Sequence, residues 1–335
     1  MDKIKSSRNK TIDFTEEEGK EYIAKCIQLS NKAEIKDITN KTIIGDTFET
    51  LAKLPDGFVD LLVVDPPYNL AKNYHGNKFG KTDNETYKDY TRKWLLECKR
   101  LLKPNASIYV CCDWESSLVI GEVLSETFHV QNRITWQREK GRGALSNWKN
   151  GMEDIWFATN SKNYVFNVED VKIRRKVIAP YKVDGKPKDW EETDDGNYRN
   201  SYPSNFWDDV SIPYWSMPEN TEHPTQKPEK LIAKLILASS NKGDFVFDPF
   251  LGSGTTSVVA KKLDRKYAGI EQNPRYCGWA EYRLSQAETD KEIQGYTNGV
   301  FWERNSLSEQ NKAKKSKKTK KEQIETCTTM NLFEK

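Results

Sequence analysis

The sequence predicts an α/β fold in which helices cover both faces of a doubly wound, mostly parallel sheet. Short apolar stretches alternate with amphipathic helices on either side of residues 160–221. Two of the apolar stretches end in an acid followed by proline, at Asp65 and Asp248, and a third ends in Glu271. Residues 160–221 are polar, turn-rich and aromatic without a long period, which predicts an insertion that carries specificity and not core.

The hydrophobic patterns before residue 160 predict the following strands and helices. They are strands at Lys41–Ile44, Leu61–Val64 and Ser107–Cys112, helices at Thr47–Leu54, Glu85–Leu102 and Leu118–Leu124, and a strand pair at Val130–Trp136 and Asp154–Ala158. Each predicted strand is a short apolar run that ends at a polar residue or a glycine. The helix 85–102 places its apolar residues on one face, and Pro104 stops it.

Regular structure is predicted to return after residue 221. The elements are a helix that begins near Pro228, a strand at Phe245–Phe247, a helix from Thr255 and a strand at Tyr267–Ile270. Leucine and isoleucine at helical spacing give the first of these helices a buried stripe. Repeated strand–helix units of this kind imply a parallel sheet.

The composition describes a soluble chain that can bury a sizeable core. Its 335 residues are 36% hydrophobic and include 10 Trp. The 6 Cys show no C-x-x-C spacing and the chain has 3 His, so neither a zinc site nor a disulfide framework is expected. No signal peptide and no apolar run of about 18 residues is found, so a cytoplasmic chain with no membrane partner is expected.

Positive charge is concentrated locally, although the net charge is only +3. A run of lysines between residues 312 and 321 leaves the rest of the chain mildly acidic. Two basic stretches that contain aromatic residues, 133–149 and 172–188, suit a nucleic-acid surface. A solvated protein surface explains either stretch alone equally well.

The first motif, Asp65-Pro66-Pro67-Tyr68, follows the apolar run 61–64. Proline has no N–H to donate to a sheet, so the strand must stop at Asp65 and a stiff loop must follow. The motif therefore presents a carboxylate, a free carbonyl and an aromatic ring at the end of a buried strand. Doubly wound sheets bind their ligands at such strand ends.

The second motif runs from Asp248 through the glycine turn Gly252-Ser253-Gly254 into a helix. Glycine lets backbone approach a ligand closely, and the N–H groups of the helix then face that ligand. The third glycine of the dinucleotide fingerprint is missing, which disfavours a nicotinamide dehydrogenase. Glu271 ends the next strand, where an acid can hold both hydroxyls of a ribose. A purely structural helix-start turn is the alternative.

The order of the motifs resembles that of a known family. DPPY comes first, HPTQKP follows a variable basic region, and DPFLGSGTT comes last. This order resembles the S-adenosylmethionine-dependent amino-methyltransferases of DNA, in the β class, whose catalytic motif precedes the cofactor motif. The resemblance spans roughly Thr42 to Leu284 and lapses over the insertion. It implies a Rossmann-like methyltransferase fold with a circularly permuted motif order.

The resemblance also implies how the chain is divided. The predicted parts are an N-terminal extension (1–40), the catalytic half of the methyltransferase domain (41–159), a target-recognition insertion (160–221), the cofactor-binding half of the same domain (222–290) and a Lys-rich tail (291–335). The insertion is where each enzyme of the family reads its own DNA sequence. The tail is expected to be disordered because it is rich in charge and poor in apolar residues.

The first motif then has a chemical role. The exocyclic amine of adenine is a poor nucleophile, because its lone pair is delocalised into the ring. The Asp65 carboxylate and the Pro66 carbonyl are expected to accept hydrogen bonds from this amine and to aim the lone pair, while Pro67 stiffens the loop. Tyr68 is expected to stack on the base, which must be flipped out of the duplex.

The resemblance assigns the cofactor contacts by motif position. S-adenosyl-L-methionine is expected to be bound by Asp46, Asp65, Thr225, Gln226, Lys227, Pro228, Asp248, Pro249, Phe250, Gly252, Ser253, Gly254, Thr255 and Glu271. Glu271 is expected to hold the ribose, and Asp46 the adenine amine of the cofactor. An ordinary helix N-cap is the alternative for Asp46, and plain helix-start positions are the alternative for Gln226 and Lys227.

Double-stranded DNA is the predicted partner. Its backbone is expected to contact Arg138, Lys140, Arg142, Trp148 and Lys149 of the first basic stretch. A homodimer and a cognate restriction endonuclease are further partners that the family suggests, although no stretch of the sequence marks an interface.

The predicted activity is that of a bacterial, site-specific adenine-N6 DNA methyltransferase, as in restriction–modification systems. Transfer to the N4 amine of cytosine is the nearest alternative because it shares the mechanism. An initial Asp followed by YNL leans towards adenine within the resemblance. An RNA methyltransferase and a catalytically inactive DNA-binding regulator are more distant alternatives, and the intact motifs argue against the second.

Overall fold

A computed structural model of the chain describes residues 6–70, 72–74, 77–138, 147–178, 181–193 and 196–314. The chain forms two units. The first comprises the residues up to Asn167 together with Ser204–Lys291, and the second comprises Val168–Pro203 together with the residues from Glu292 onwards.

The regular elements are numbered in chain order. The helices are α1 (Lys20–Ile23), α2 (Ile35–Ile38), α3 (Thr47–Leu51), α4 (Asn84–Leu101), α5 (Trp114–Thr127), α6 (Glu229–Ser239), α7 (Thr255–Lys262) and α8 (Pro274–Gln286). The strands are β1 (Lys41–Ile44), β2 (Val59–Val64), β3 (Lys72–Tyr74), β4 (Asn77–Phe79), β5 (Leu102–Cys112), β6 (His129–Gln137), β7 (Met152–Thr159), β8 (Ile173–Lys176), β9 (Lys182–Val183), β10 (Lys186–Pro187), β11 (Glu191–Thr193), β12 (Gly196–Ser201), β13 (Phe206–Trp207), β14 (Phe245–Asp248), β15 (Lys266–Glu271), β16 (Tyr296–Thr297) and β17 (Val300–Trp302). No helix in the described part of the chain combines the length and the hydropathy that crossing a membrane requires.

The first unit is built on a mixed sheet. Among the described residues, eight strands lie in the order β1–β15–β14–β2–β5–β7–β6–β13. Every neighbouring pair in this order is parallel except the two pairs that β7 makes with β5 and β6. The predicted Rossmann-like α/β fold with a mostly parallel sheet is confirmed.

The winding of this sheet reverses between β14 and β2. The chain passes from β2 through α4 to β5 on one side, and from β14 through α7 to β15 on the other. Crossovers between parallel strands are right-handed, so α4 and α7 cover opposite faces. Asp65 follows β2 and Asp248 ends β14, and both therefore lie at the carboxyl edge of the sheet beside the switch point.

The core of the first unit lies on the two faces of the sheet. Leu62, Ile108 and Phe247 of adjacent strands are fully buried, and the helix α4 adds Trp94 and Leu95. Burying a large apolar side chain contributes roughly 1.5–3 kcal/mol. The strand ends that carry polar residues are thus held by a packed interior.

The N-terminal extension packs on α8. The backbone oxygen of Phe14 accepts hydrogen bonds from Trp279 Nε1 (3.2 Å) and Arg275 Nε (3.0 Å). Asp13 pairs with the guanidinium of Arg275 at 2.5 Å. The described residues of the extension are therefore part of the first unit.

The second unit contains strands from two distant parts of the sequence. Its described residues form the sheet β11–β12–β8–β17–β16 and the separate hairpin β9–β10. The boundaries consequently differ from the predicted ones, because β17 pairs with β8 and residues 292–302 do not belong to a tail. At the other boundary, residues 204–221 belong to the first unit, where β13 pairs with β6. Pairing over such separations leaves no local mark in the sequence.

Candidate active site

A cavity of about 310 Å³ lies at the carboxyl edge of the sheet, where β2 and β14 end. This volume is within the range of small-molecule and cofactor pockets. The predicted site residues that line it are Asp46, Asp65, Pro66, Pro67, Tyr68, Thr225, Gln226, Lys227, Asp248, Phe250, Gly252, Ser253, Thr255 and Glu271. The sheet thus brings together both motifs and the HPTQKP segment.

Three predicted cofactor contacts lie beside the cavity without lining it. Pro228 is the N-cap of α6, and the backbone oxygen of Pro249 accepts a 2.9 Å hydrogen bond from Thr47 Oγ1. Gly254 is the N-cap of α7, with a φ of 84°. A Cβ atom at Gly254 would lie 2.5 Å from the Cβ of Ala280, so this glycine also permits close packing on α8.

Two acids line the cavity, the buried Asp248 and the half-buried Glu271. Asp248 accepts from Phe250 N (3.0 Å) and Thr256 Oγ1 (2.6 Å). Glu271 accepts hydrogen bonds from Gly252 N (2.8 Å) and from Asn273 N (2.8 Å). Burial raises the pKa of each carboxyl to about 7, against the effect of these hydrogen bonds. A ligand that brings positive charge or hydroxyl donors would therefore be favoured here.

Asp46 has a structural role of its own. Its Oδ1 accepts from the backbone N–H groups of Phe48 (2.9 Å) and Glu49 (3.1 Å), and it caps α3. The N-cap alternative is thus present in the structure, while the same side chain lines the cavity.

The carboxylate of the first motif is held from two sides. Asp65 Oδ1 accepts a 2.8 Å hydrogen bond from the hydroxyl of Tyr68. Lys227 Nζ lies 2.7 Å from Asp65 Oδ2 and 3.1 Å from the Tyr68 hydroxyl. The loop is anchored further by Tyr87, whose hydroxyl donates to the Pro67 backbone oxygen at 3.1 Å. The motif is therefore fixed by hydrogen bonds as well as by its prolines.

Lys227 also faces a second carboxylate, that of Glu153 on β7, at 3.4 Å. Burial alone would lower the pKa of Lys227, but the carboxylates of Asp65 and Glu153 raise the pKa above its usual value. Burial, and then the charge of Asp65, raise the pKa of Tyr68 well above the ordinary range. At neutral pH, Lys227 is therefore a charged ammonium and Tyr68 a neutral phenol.

The HPTQKP segment is tied to the glycine turn. Gln226 accepts from Thr221 N (2.8 Å) and donates to the backbone oxygen of Glu219 (2.7 Å), which braces the loop. Thr255 Oγ1, at the start of α7, donates to the backbone oxygen of Lys227 at 3.1 Å. Lys227 therefore connects the first motif, through Asp65, with the second, through Thr255.

Sequence reasoning missed several residues of this site. The additional lining residues include Thr47, Phe48, Tyr90, His223, Thr256, Gln272, Asn273 and Tyr276. Glu153 was also missed, and its signal was the pair of adjacent acids, Glu153 and Asp154, near the start of strand β7. Among the described residues, no group of three or more His, Cys, Asp or Glu side chains is arranged to hold a metal ion.

The predicted DNA contacts of the first unit differ in their surroundings. Arg138 pairs with Glu153 and lies over the ring of Trp136 at 5.8 Å. Trp148 is 93% exposed, and Lys149 is exposed beside it. Lys140 and Arg142 lie outside the described residues.

Within the second unit, part of the basic stretch 172–188 is neutralised. Three basic residues in or next to β8 form ion pairs with acids: Lys172 with Glu169, Arg174 with Glu191 and Arg175 with Glu303. The lysines of the hairpin β9–β10, Lys182 and Lys186, and the adjacent Lys188 are exposed. The turn of this hairpin, Asp184-Gly185, has both residues at positive φ, as tight hairpin turns require.

Comparisons with known proteins agree with this geometry. A family model of N6/N4 methyltransferases, described as DNA methylase, matches residues 59–282. The DNA adenine methyltransferase YhdJ of Escherichia coli (strain K12) is 34% identical over 278 residues, which cover 80% of this chain and 92% of YhdJ. The type II methyltransferase M.HpaI of Haemophilus parainfluenzae is 33% identical over 263 residues, 76% of either chain. The solved M1.HpyAVI–SAM complex matches with a TM-score of 0.50 and 25% identity, over 72% of this chain and 98% of that one.

Proposed function

The chain belongs to the family of N6/N4 DNA methylases, and we propose that it transfers a methyl group from S-adenosyl-L-methionine to the N6 amine of a flipped-out adenine in double-stranded DNA. The resemblance predicted from the two motifs is confirmed by the family match. The observation that carries the proposal is the fixed carboxylate of Asp65 beside a cavity that also holds Asp248 and Glu271. The name of YhdJ, a DNA adenine methyltransferase, supports adenine over cytosine as the target.

The residues of the cavity fit the cofactor. Glu271 offers a half-buried carboxylate to the ribose hydroxyls, and Asp248 with the glycine turn offers acceptors and N–H groups to the methionine part. Asp46 lines the cavity as a candidate for the adenine amine. When bound, S-adenosyl-L-methionine supplies an electrophilic methyl group on a sulfonium. The similarity to a solved S-adenosylmethionine complex supports this assignment.

The residues of the first motif handle the target base. The Asp65 carboxylate and the Pro66 carbonyl accept hydrogen bonds from the adenine amine, and the ring of Tyr68 provides a stacking surface. The amine nitrogen would attack the methyl carbon while the bond from that carbon to sulfur breaks, and the electron pair of that bond would stay on sulfur, which leaves as a neutral thioether. The negative charge of Asp65 would stabilise the positive charge that develops on nitrogen. The methylated amine returns to neutrality by losing a proton to water.

DNA recognition is assigned to the second unit and to two exposed residues of the first. A two-stranded ribbon fits the major groove of B-DNA, and the exposed lysines of the hairpin β9–β10 suit its phosphates. Trp148 and Lys149 of the first unit are exposed and suit contacts to the backbone or to the gap that a flipped base leaves. A DNA substrate implies a cytoplasmic enzyme, because bacterial DNA lies in the cytoplasm.

Two further partners stay predictions. A cognate restriction endonuclease is supported by the similarity to M.HpaI, which is named a type II methyltransferase. A homodimer is suggested by the family resemblance.

The proposal is tested by the nucleoside that the enzyme produces. The purified chain is incubated with methyl-labelled S-adenosylmethionine and DNA from a methylation-free host, and the digested nucleosides are identified by mass spectrometry. Label in N6-methyldeoxyadenosine is the expected result. Label in N4-methyldeoxycytidine would keep the mechanism and contradict the base, and label in an added RNA but not in the DNA would contradict the substrate.

A further inference from the structure

Lys227 stands in a chain of alternating charges at the active site. Its Nζ atom lies 2.7 Å from Asp65 on one side and 3.4 Å from Glu153 on the other. Glu153 in turn pairs with Arg138. The side chains of Lys227 and Glu153 are 7% and 5% exposed, so both charges are held in the interior.

We propose that Lys227 is a positioning residue for methyl transfer, which fixes the carboxylate of Asp65 while Glu153 fixes Lys227. The inference rests on the proposed function, and it replaces the predicted role of Lys227 as a cofactor contact. No step of the transfer uses the lysine directly. Its effect reaches the target amine through Asp65.

Two of the three N–H donors of the ammonium are used by the first motif. Lys227 Nζ donates to Asp65 Oδ2 at 2.7 Å and to the Tyr68 hydroxyl at 3.1 Å. Glu153 Oε2 lies 3.4 Å from Nζ as an ion-pair partner, without a hydrogen bond. The lysine is therefore already directed at the catalytic motif.

The carboxylate keeps room for the target amine. A carboxylate has about four lone-pair sites on its two oxygens. Tyr68 uses one site on Oδ1, and Lys227 uses one on Oδ2. Two bonds from opposite ends prevent the carboxylate from rotating, so its orientation is set before the base arrives.

Glu153 gives the arrangement the right charge. Lys227 alone would cancel the negative charge of Asp65, which has to stabilise a developing positive charge on the amine. Together, the side chains of Asp65, Lys227 and Glu153 carry one net negative charge. Arg138 lies on the far side of Glu153, with its side chain 31% exposed, where solvent screens it more.

The backbone of Lys227 is fixed as firmly as its side chain. Its oxygen accepts from Thr255 Oγ1 at 3.1 Å, and this hydroxyl accepts from Arg283 Nη1 at 3.0 Å. The same nitrogen of Arg283 donates to the Ser253 backbone oxygen at 2.8 Å. Lys227 therefore cannot shift without disturbing the glycine turn.

The test compares Lys227→Met with a matched change at another buried lysine. Lys234 lies on α6, is 1% exposed, pairs with Asp209 at 2.6 Å and is not among the residues that line the cavity. Single-turnover transfer from saturating methyl-labelled S-adenosylmethionine to unmethylated genomic DNA gives the rate, and calorimetry gives the cofactor Kd. Lys227→Met is expected to slow transfer about 100-fold with less than about a threefold change in Kd. Lys234→Met is expected to keep the transfer rate within about threefold of the wild type. Lys227→Arg is expected to transfer about tenfold faster than Lys227→Met, because arginine also donates charged hydrogen bonds to a carboxylate.

Three results would overturn the inference. A raised cofactor Kd with an unchanged saturating rate would make Lys227 a cofactor ligand. Equal losses in Lys227→Met and Lys234→Met would make it a purely structural lysine. A wild-type chain that binds the cofactor but labels no DNA would contradict the proposed function itself, and this arm is measured separately from the variants.

Discussion

The hydroxyl of Tyr68 donates a 2.8 Å hydrogen bond to Oδ1 of Asp65, three residues earlier in the same loop. The ring proposed to stack on the base is thereby fixed to the carboxylate proposed to orient the amine. Tyr68 is 6% exposed, so solvent competes little for this bond. The tyrosine has two separable contributions, one from its ring and one from its hydroxyl.

Replacing Tyr68 by Phe is expected to lower the single-turnover rate about tenfold, because a hydrogen bond to a charged group contributes roughly 1.5–3 kcal/mol. Tyr68→Ala is expected to lower the rate by about a further tenfold or more, since it also removes stacking worth roughly 1–3 kcal/mol. The rates are measured at saturating cofactor. A Phe variant as slow as the Ala variant would show that the ring alone contributes nothing.

Gly254→Ala is expected to cost more stability than a glycine substitution elsewhere at the same φ. Gly254 and Gly243 have φ values of 84° and 85°, but only at Gly254 would the new methyl group meet Ala280. Both variants lose about 1–2 kcal/mol to backbone strain, and Gly254→Ala loses about 1–3 kcal/mol more to overpacking. Urea denaturation measures the difference. Equal losses in the two variants would contradict the close approach of α7 and α8.

Cofactor affinity is expected to rise with pH between about 5.5 and 7. Burial raises the pKa of Asp248 and Glu271 to about 7, above the roughly 4 of an unfolded chain. In the free protein, their contribution to the free energy of unfolding is therefore present below about pH 4 and is lost as pH rises through about 7. If the cofactor binds only when Asp248 and Glu271 are ionised, its binding below about pH 7 must release protons from these two carboxyls.

Calorimetry in buffers of different ionisation enthalpy measures this proton release. The cofactor amine stays protonated below about pH 7, so the signal comes from the protein. Affinity is expected to increase up to about tenfold per pH unit for each group that must ionise. Glu271→Gln should show a shallower dependence, and an affinity that does not change with pH would contradict the role of these acids.

The hairpin β9–β10 is expected to bind DNA phosphates. Replacing Lys182, Lys186 and Lys188 by Ala should weaken DNA binding and reduce the salt slope by about one for each lysine that had neutralised a phosphate. Fluorescence anisotropy over a salt series measures both quantities. The control is the triple alanine variant of Lys32, Lys36 and Lys242, exposed lysines of the first unit, which changes the net charge equally. Identical slopes in the two variants would assign the effect to net charge alone.

Local patterns predicted the parts of the site that are contiguous in sequence. An acid and two prolines after an apolar run placed Asp65 at a strand end, and a glycine turn before a helix placed Asp248 at another. Parallel topology then requires both strand ends to lie at one edge. Local order and the direction of the strands are enough for this inference.

The remaining features depend on side chains that are distant in sequence. Lys227 meets Asp65 across 162 residues, and no periodicity reports such a contact. The same limit hid the pairing of β17 with β8, which moves residues 292–302 into the second unit. It also hid Glu191 and Glu303, which pair with Arg174 and Arg175 of the stretch 172–188. A basic stretch in a sequence is therefore not yet a basic surface.

Single-molecule sequencing of plasmid DNA from a methylation-free host that expresses the chain, beside an Asp65→Ala control, tests adenine methylation and the role of Asp65 together. We expect N6-methyladenine at one short sequence motif in the first sample and unmodified DNA in the control. Unmodified DNA from a soluble wild-type chain that binds S-adenosylmethionine, or modification that persists in Asp65→Ala, would contradict this expectation.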